Sequence, residues 1–377
     1  MCVLNNKCIV LDTMKKKVGI LTWHYYKNFG SGLQAFALQE TIARLGYDVN
    51  LINFRKFYSR PVSPIKRFLK KVLQYTVAKF SNFVYERTIN NTIVYQKKYL
   101  KQTKVFTIPS ELENISGEYD CLVYGSDQIW APNVYTPIYM GAHVQKDVRK
   151  ISYAASIGLN DIPDDLVETY RTNLSSYHSV AVREQEGKEL LKSRCGIEAT
   201  VVLDPTLMID AETYKKMQRP VRGVKGKYVF CYFLNKEHKY REKVEDYAKK
   251  NNLQIIGCSD KVSDAEWLHM LTNIGADQFL WLINNAETVF TDSYHGSIFS
   301  LLFHKNLWTF IRFAENNPIC QNSRIRQLQN NFDLEHRIVT AENDIDDSKR
   351  INYEYFEKRL AELRQESIKY LKNALES

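Results

Sequence analysis

The sequence predicts an α/β protein with two Rossmann-like halves facing a cleft, and three observations carry that prediction. First, Val18-Gly-Ile-Leu-Thr-Trp23, a Gly/Asn loop, a helical pattern from Leu33 to Leu45 and Val49-Asn-Leu-Ile-Asn-Phe54 form a β-loop-α-β unit. Such a unit opens a parallel, doubly wound sheet. Second, the strand–helix alternation halts over residues 205–226, which hold Pro220, Gly223 and Gly226, and then restarts. Third, the apolar run ending at Val289-Phe290 meets a polar break and then a helix, with His295 at the corner.

The remaining elements follow in chain order. Asp120–Tyr124, Ile151–Ser156, His178–Arg183 and Ala199–Leu203 read as strands of the first half, with helices at Leu166–Leu174 and Glu184–Leu191. Apolar runs of four to eight residues bounded by turn signals are the mark of strands buried on both faces. Beyond the crossing, Tyr228–Leu234, Leu253–Ile256, Thr288–Phe290 and Leu307–Ile311 read as strands. Lys236–Lys249, Gln278–Asn284, Ser297–Phe303 and Ser323–Asn330 read as helices, and Tyr353–Leu375 as a terminal amphipathic helix. The expected domains are therefore 15–205, 206–350 and a closing helix in 351–377. Residues 60–104 break the rhythm, and within them 65–88 place Lys66, Arg67, Lys70, Lys71, Lys79 and Arg87 among apolar side chains. That stretch is either an ordinary solvated helix or a basic amphipathic helix on an anionic membrane surface. Met14-Lys-Lys-Lys leading into a β-rich stretch resembles a natural start, so residues 1–13 are read as either a leader or the product of an upstream start.

Composition narrows the function classes. With 377 residues, 44% hydrophobic and 25% charged, the chain is globular and long enough for two cores. The net charge of +9 favours anionic partners. The basic residues are dispersed and match no nucleic-acid motif, so no nucleic-acid partner is expected. Seven scattered cysteines without a C-x-x-C or Cys/His cluster argue against structural zinc or a disulfide framework and for a reducing compartment. No secretory signal or membrane-length apolar run is evident, so a cytoplasmic location is expected.

Three sets of residues at strand C-termini can carry chemistry. The loop Trp23–Gln34 has glycines at 30 and 32 that permit close backbone approach to a ligand. Gly125-Ser-Asp-Gln-Ile-Trp130 offers Asp127 and Gln128 to hydroxyls and Trp130 to a pyranose face; the alternative is an Asx turn with Trp130 in the core. Arg183 ends an apolar strand, so it pairs with a carboxylate such as Glu184 or Glu186, or binds a ligand anion. His295 at a helix start is either a general acid or a hydrogen-bonded capping residue.

These blocks, taken in order, resemble the polysaccharide pyruvyl transferase family. The likeness lies in Asn28-Phe-Gly-Ser-Gly-Leu-Gln-Ala-Phe-Ala-Leu-Gln39, Tyr124-Gly-Ser-Asp-Gln-Ile-Trp130, Ile151-Ser-Tyr-Ala-Ala-Ser156, Val182-Arg183-Glu184, Val202-Leu-Asp-Pro-Thr206 and Thr291-Asp-Ser-Tyr-His-Gly296. The resemblance implies a GT-B-like fold and transfer of an enolpyruvyl-derived group from phosphoenolpyruvate to two hydroxyls of a sugar, giving a pyruvate ketal. It makes His295 the general acid and Arg183 an anchor for phosphoenolpyruvate. The expected donor set is Arg183, Ser293, Tyr294, Gly296, Lys305 and Arg324, with Arg312 and Arg326 as further cations. The expected acceptor set is Asn28, Gly30, Gln34, Asp127, Gln128 and Trp130.

One departure stands out: some members carry an arginine two positions before the histidine, where this chain has Ser293. Phosphoenolpyruvate is a co-substrate, and neither a cofactor nor a metal is expected. The expected acceptor is a saccharide on a polyprenyl diphosphate, met at the inner membrane face with help from 65–88. The other readings are a GT-B nucleotide-sugar glycosyltransferase and a non-catalytic glycan or nucleic-acid binder.

Overall fold

Every strand pairing among the described residues is parallel, in two sheets joined at a crease. The computed structural model describes residues 15–25, 28–55, 91–134, 136–142, 144, 148–234, 240–258, 268–314, 317, 320–340 and 342–376. The suggested leader 1–13 and the basic segment 65–88 lie outside the described residues.

The first lobe contains β1 (Lys17–Leu21), α1 (Phe29–Arg44), β2 (Asp48–Leu51), α2 (91–99), α3 (Ser110–Glu113), β3 (Cys121–Tyr124), β4 (Arg149–Ser152), α4 (Asp164–Leu174), β5 (Ala181–Val182), α5 (Gln185–Leu190) and β6 (Thr200–Val201). Its main sheet runs β2-β1-β3-β4, and single bridges Ile151–Ser179 and Ala155–Val182 carry it on to the β5–β6 pair. The chain reverses direction across the sheet between β1 and β3, which is where open α/β sheets bind ligands.

Then come α6 (Pro205–Met208) and α7 (Ala211–Met217), inside the segment read as the crossing. Asp204 and Asp210 cap these helices with their carboxylates. The second lobe follows as β7 (Tyr228–Tyr232), α8 (Arg241–Lys250), β8 (Gln254–Cys258), β9 (His269–Leu271), α9 (Ala276–Asn285), β10 (Thr288–Thr291), α10 (Tyr294–Leu302), β11 (Asn306–Phe310), α11 (Asn322–Asn331), β12 (Ile338–Val339) and α12 (Tyr353–Glu376). Its sheet order, β12-β11-β10-β7-β8-β9, is the doubly wound order, with the reversal between β7 and β10. Strands β3, β7 and β10 are buried along their whole length, as helices on both faces require.

The lobes touch through α1. Phe29 stacks on Phe279 at 4.7 Å and lies 5.7 Å from Tyr232, and one apolar cluster runs from Val18 to Phe230. Helix α12 returns to the first lobe. Ser367 Oγ accepts the Leu203 N–H at 3.0 Å, Tyr370 donates to Ser152 O at 3.0 Å, and Arg364 Nε donates to Leu207 O at 2.6 Å. No helix among the described residues is long and apolar enough to cross a membrane.

Two helix starts differ from expectation in a way that matters. Helix α1 begins at Phe29, not Leu33, because Asn28 Oδ1 accepts the Gly30 N–H at 2.9 Å and acts as the cap. The apparent Gly/Asn loop is therefore the first turn of the helix. Likewise α10 begins at Tyr294, not Ser297, with Ser293 Oγ accepting from Gly296 N at 3.3 Å. Strands β9 and β12 went unread; one opens on an exposed histidine and the other is two residues long, so neither has a legible period.

Candidate active site

The C-terminal ends of β1, β3, β5, β7 and β10 converge at the crease. Loop β3 turns sharply: Gly125 has φ +129° and a Cβ there would lie 2.1 Å from Tyr153 O, so only glycine fits. Asp127 follows with φ +70°, which aims its carboxylate back at α1, where Oδ2 accepts the Ser31 hydroxyl at 2.6 Å. Thr22 Oγ1, after β1, donates to Ser126 O at 2.9 Å and ties the two loops of the first switch point together.

Arg183, at the tip of β5, is buried with two carboxylates. Its Nε donates to Glu184 Oε1 at 2.8 Å and its Nη1 to Asp204 Oδ2 at 2.7 Å. The carboxylate alternative thus holds for two of its nitrogens, while Nη2 is enclosed and has no hydrogen-bond partner. The guanidinium lies 4.4 Å over the ring of Tyr294 from the other lobe. Burial works against its charge, but Glu184, Tyr294, Asp204 and Asp127 outweigh that and keep Arg183 firmly protonated. Burial likewise opposes ionisation of Asp204, yet His295, Arg183 and Thr206 hold its carboxyl well below the usual range.

His295, second residue of α10, is 6% exposed. Its Nε2 is enclosed and lies 3.6 Å from Asp204 Oδ2, beyond hydrogen-bond length. On the other side, a Cβ on Gly30 would stand 2.1 Å from Nδ1, so α1 packs its glycine flat against the imidazole. Gly296 is held by the same logic, since a Cβ would meet Thr291 Oγ1 at 2.6 Å. The first turn of α10 leaves the N–H groups of Tyr294 and His295 without an intrahelical acceptor, a setting that favours an anion.

Arg324 enters from α11. Burial, Arg183 and Arg312 push its pKa down to about 10, so its charge feels the other guanidiniums. Its Nη2 donates to Gln321 at 2.6 Å, whereas Nε is enclosed and unbonded. Arg312 is anchored on Asp292, with Nη2 donating to the backbone carbonyl at 2.8 Å.

The structure therefore gathers His295, Arg183, Arg324, Ser293, Tyr294 and Gly296 with Gly30, Asn28 and Asp127 around one crease. Gln128 is half-buried against Gly158, beside the Asp127 turn. Three expectations are corrected. Lys305 precedes β11, at the opposite end of the sheet from His295, and its nearest charges are Glu287 and Lys215. Trp130 is fully enclosed, with Nε1 donating to Tyr139 O at 2.9 Å, so its ring has no face for a sugar. Gln34 is fully buried; Nε2 bonds Thr22, Trp23 and Ser31, and Oε1 accepts from Ser126 N, so it braces the loops. Arg326 is exposed on α11. Sequence reasoning overlooked Asp204 and Ser31. Asp204 carried a signal: an Asp-Pro pair directly after a strand marks a helix cap at a strand's C-terminal end.

Comparison with known proteins agrees with this architecture. The polysaccharide pyruvyl transferase family model matches residues 28–311. No curated protein matches. Among solved structures, the S. aureus MnaA–UDP co-structure is 9% identical, with 95% of this chain and 90% of that chain covered and a TM-score of 0.50. UDP-GlcNAc 2-epimerase from Methanocaldococcus jannaschii is 14% identical over 92% of each chain, with a TM-score of 0.48. A glycosyltransferase from Rickettsia africae is 9% identical, covering 96% of this chain and 94% of that one, with a TM-score of 0.49. At 9% identity the likeness to the S. aureus structure bears on the fold alone, a GT-B-like pair of Rossmann-like lobes.

Proposed function

The chain belongs to the polysaccharide pyruvyl transferase family, and from that premise we propose that it moves the enolpyruvyl-derived group of phosphoenolpyruvate onto two hydroxyls of a saccharide. The observation that carries this reading is a pair of unfilled donors. Arg183 Nη2 and Arg324 Nε are both enclosed, both without a hydrogen-bond partner, and belong to guanidiniums close enough to repel. Two such donors beside a helix N-terminus call for a compact dianion. Phosphoenolpyruvate presents a carboxylate and a phosphate on one small frame.

The chemistry then needs a proton. The methylene carbon of the enol takes a hydrogen ion, and the adjacent carbon becomes oxocarbenium-like. One sugar hydroxyl attacks that carbon and gives its proton to the imidazole just deprotonated, then a second hydroxyl displaces the phosphate to close the ketal and its proton leaves on the departing hydrogen phosphate. His295 supplies the hydrogen ion, a role worth ~10²–10⁴-fold. Arg183 and Arg324 hold the two anionic groups, and the first turn of α10 faces the departing phosphate. Asn28, Asp127 and Gln128 form the acceptor side. Ser293 stands where an arginine is found in some relatives; Arg324, reaching in from α11, brings a guanidinium to the same crease.

The acceptor on a polyprenyl diphosphate, and contact of 65–88 with the cytoplasmic membrane face, belong to the same proposal. Liposome binding that drops when Lys66, Arg67, Lys70 and Lys71 are neutralised supports that part, and unchanged binding removes it. The decisive experiment is mass spectrometry of candidate lipid-linked sugars incubated with protein and phosphoenolpyruvate. A gain of one pyruvate less water, with release of inorganic phosphate, is expected. Stabilisation by UDP- or GDP-sugars but not by phosphoenolpyruvate would overturn the reading.

A further inference from the structure

Asp204 sits where the two lobes share a single oxygen. Its Oδ2 accepts Arg183 Nη1 at 2.7 Å from the first lobe and lies 3.6 Å from His295 Nε2 of the second. Ser126 Oγ, from the β3 loop, reaches the same oxygen at 3.3 Å. The other oxygen is committed: Oδ1 accepts Thr206 N at 2.9 Å and Thr206 Oγ1 at 2.6 Å. Those two bonds fix the rotation of the carboxylate, so Oδ2 cannot turn away from the imidazole. The side chain is fully buried, and no solvent competes for that oxygen.

The imidazole offers its two nitrogens to different surroundings. Nε2 is fully enclosed without a partner, and the carboxylate is the acceptor nearest to it. Nδ1 lies on the Gly30 side, at the seam where α1 meets α10. Tyr294 and the imidazole form a T-shaped pair, 5.3 Å between centroids. Whichever nitrogen carries the permanent proton is set by the hydrogen bond that proton makes. An anionic oxygen fixed beside Nε2 makes it the protonated nitrogen of the neutral ring.

We infer that Asp204 is a positioning residue that holds the Nε2 proton of His295, so that the proton spent in the reaction is the one on Nδ1. The inference rests on the pyruvyl-transfer reading for its step, and the step balances. The C=C electron pair of the enol forms the new C–H bond, the Nδ1–H pair returns to the ring, and the neutral imidazole retains Nε2–H facing Asp204. The 3.6 Å separation is within the range that acid–base contacts commonly tighten into a hydrogen bond with substrate bound. A carboxylate that fixes a tautomer in this way acts through the histidine and need not touch substrate.

The test begins with the unmodified full-length protein, labelled with ¹⁵N, at a pH where the ring is neutral. Two-bond proton–nitrogen correlation spectra identify the tautomer, and His295→Gln assigns the signal by its loss. A ring protonated at Nε2 is expected; a ring protonated at Nδ1 overturns the inference, and this reading requires no substrate and no Asp204 variant. Asp204→Asn is then expected to shift the ring towards the Nδ1-protonated form and to lower kcat by ~10²–10⁴-fold, with a smaller change in the KM for phosphoenolpyruvate. Asp204→Glu should recover part of kcat. A folded Asp204→Asn protein with an unaltered tautomer leaves Asp204 merely structural. Should no pyruvate be transferred by the wild type, the function falls while the spectra still decide the Asp204–His295 arrangement.

Discussion

Gly30 of α1 and His295 of α10 meet face to face across the crease, with room between them for a hydrogen atom but not for a methyl group. Glycine inside a helix costs roughly 1 kcal/mol relative to alanine, so helix stability gives way here to proximity. Gly30→Ala must push the imidazole off Asp204 or part the lobes. Expected is a loss of activity of at least ~10-fold, together with a destabilisation of about 1–3 kcal/mol from overpacking. Gly32→Ala is the comparison, because its Cβ would meet only Tyr95 at 3.2 Å. Turnover and denaturant midpoints of the two variants check the claim; equal activity in both would separate Gly30 from the chemistry.

Arg324 is buried where its charge is disfavoured, and its neighbours Arg183 and Arg312 share its sign. Replacing such a group by an apolar side chain of similar length is often neutral or stabilising. Arg324→Met is therefore expected to keep or raise the melting temperature while raising the KM for phosphoenolpyruvate by ~10-fold or more, the scale of one charge-assisted hydrogen bond. Thermal shift with phosphoenolpyruvate, large for the wild type and small for the variant, is the measurement. A variant that melts earlier and binds the donor normally would make Arg324 a structural ion.

Much of this arrangement was legible in the sequence, and the misreadings have physical causes. Strands β3, β7 and β10 were readable because burial on both faces leaves continuous apolar runs. Arg183 and His295 were readable because a charged residue at the end of such a run needs an explanation. The start of α1 lies earlier than the pattern suggests because Gly30, Ser31 and Gly32 look like loop residues; the smallness of Gly30 serves contact with His295 of the other lobe, and Ser31 serves Asp127, tertiary reasons that local propensity cannot express. Trp130 was misplaced for a similar reason: an aromatic after a polar turn suits a sugar or a core equally well, and only the Tyr139 carbonyl waiting for its N–H decides. The reach of Arg324 depends on how α11 packs, and no spacing in the sequence records that.

His24 follows β1 and is buried, with Nδ1 2.9 Å from Thr22 O. Burial, helped by Arg55, lowers its pKa below the ordinary value. The folded protein therefore keeps the ring neutral over a range where the unfolded chain, titrating near ~6.5, takes up a proton. The unfolded state then binds more protons, so stability is complete above that pH and falls as pH drops through it, with a slope of at most ~1.4 kcal/mol per pH unit. His24→Gln, which can still donate to Thr22 O, should flatten that slope between pH 7.5 and 5.5 in urea titrations. An equally steep slope in the variant would assign the acid sensitivity to other groups.

Trp130 separates a structural residue from the acceptor side of the crease. The ring is wholly enclosed, its N–H donates to Tyr139 O, and its own carbonyl accepts the hydroxyl of Tyr170. Trp130→Phe leaves a buried carbonyl without its donor, at a cost of about 1–3 kcal/mol, and adds the loss of ring contacts. The variant should unfold at lower denaturant with an unchanged KM for the saccharide. Gln128→Ala should do the reverse, because Gln128 is half-buried and packs on Gly158 beside the Asp127 turn. Acceptor titrations and urea midpoints of the pair decide between them: a raised saccharide KM in Trp130→Phe with normal stability would restore the stacking role that its burial denies.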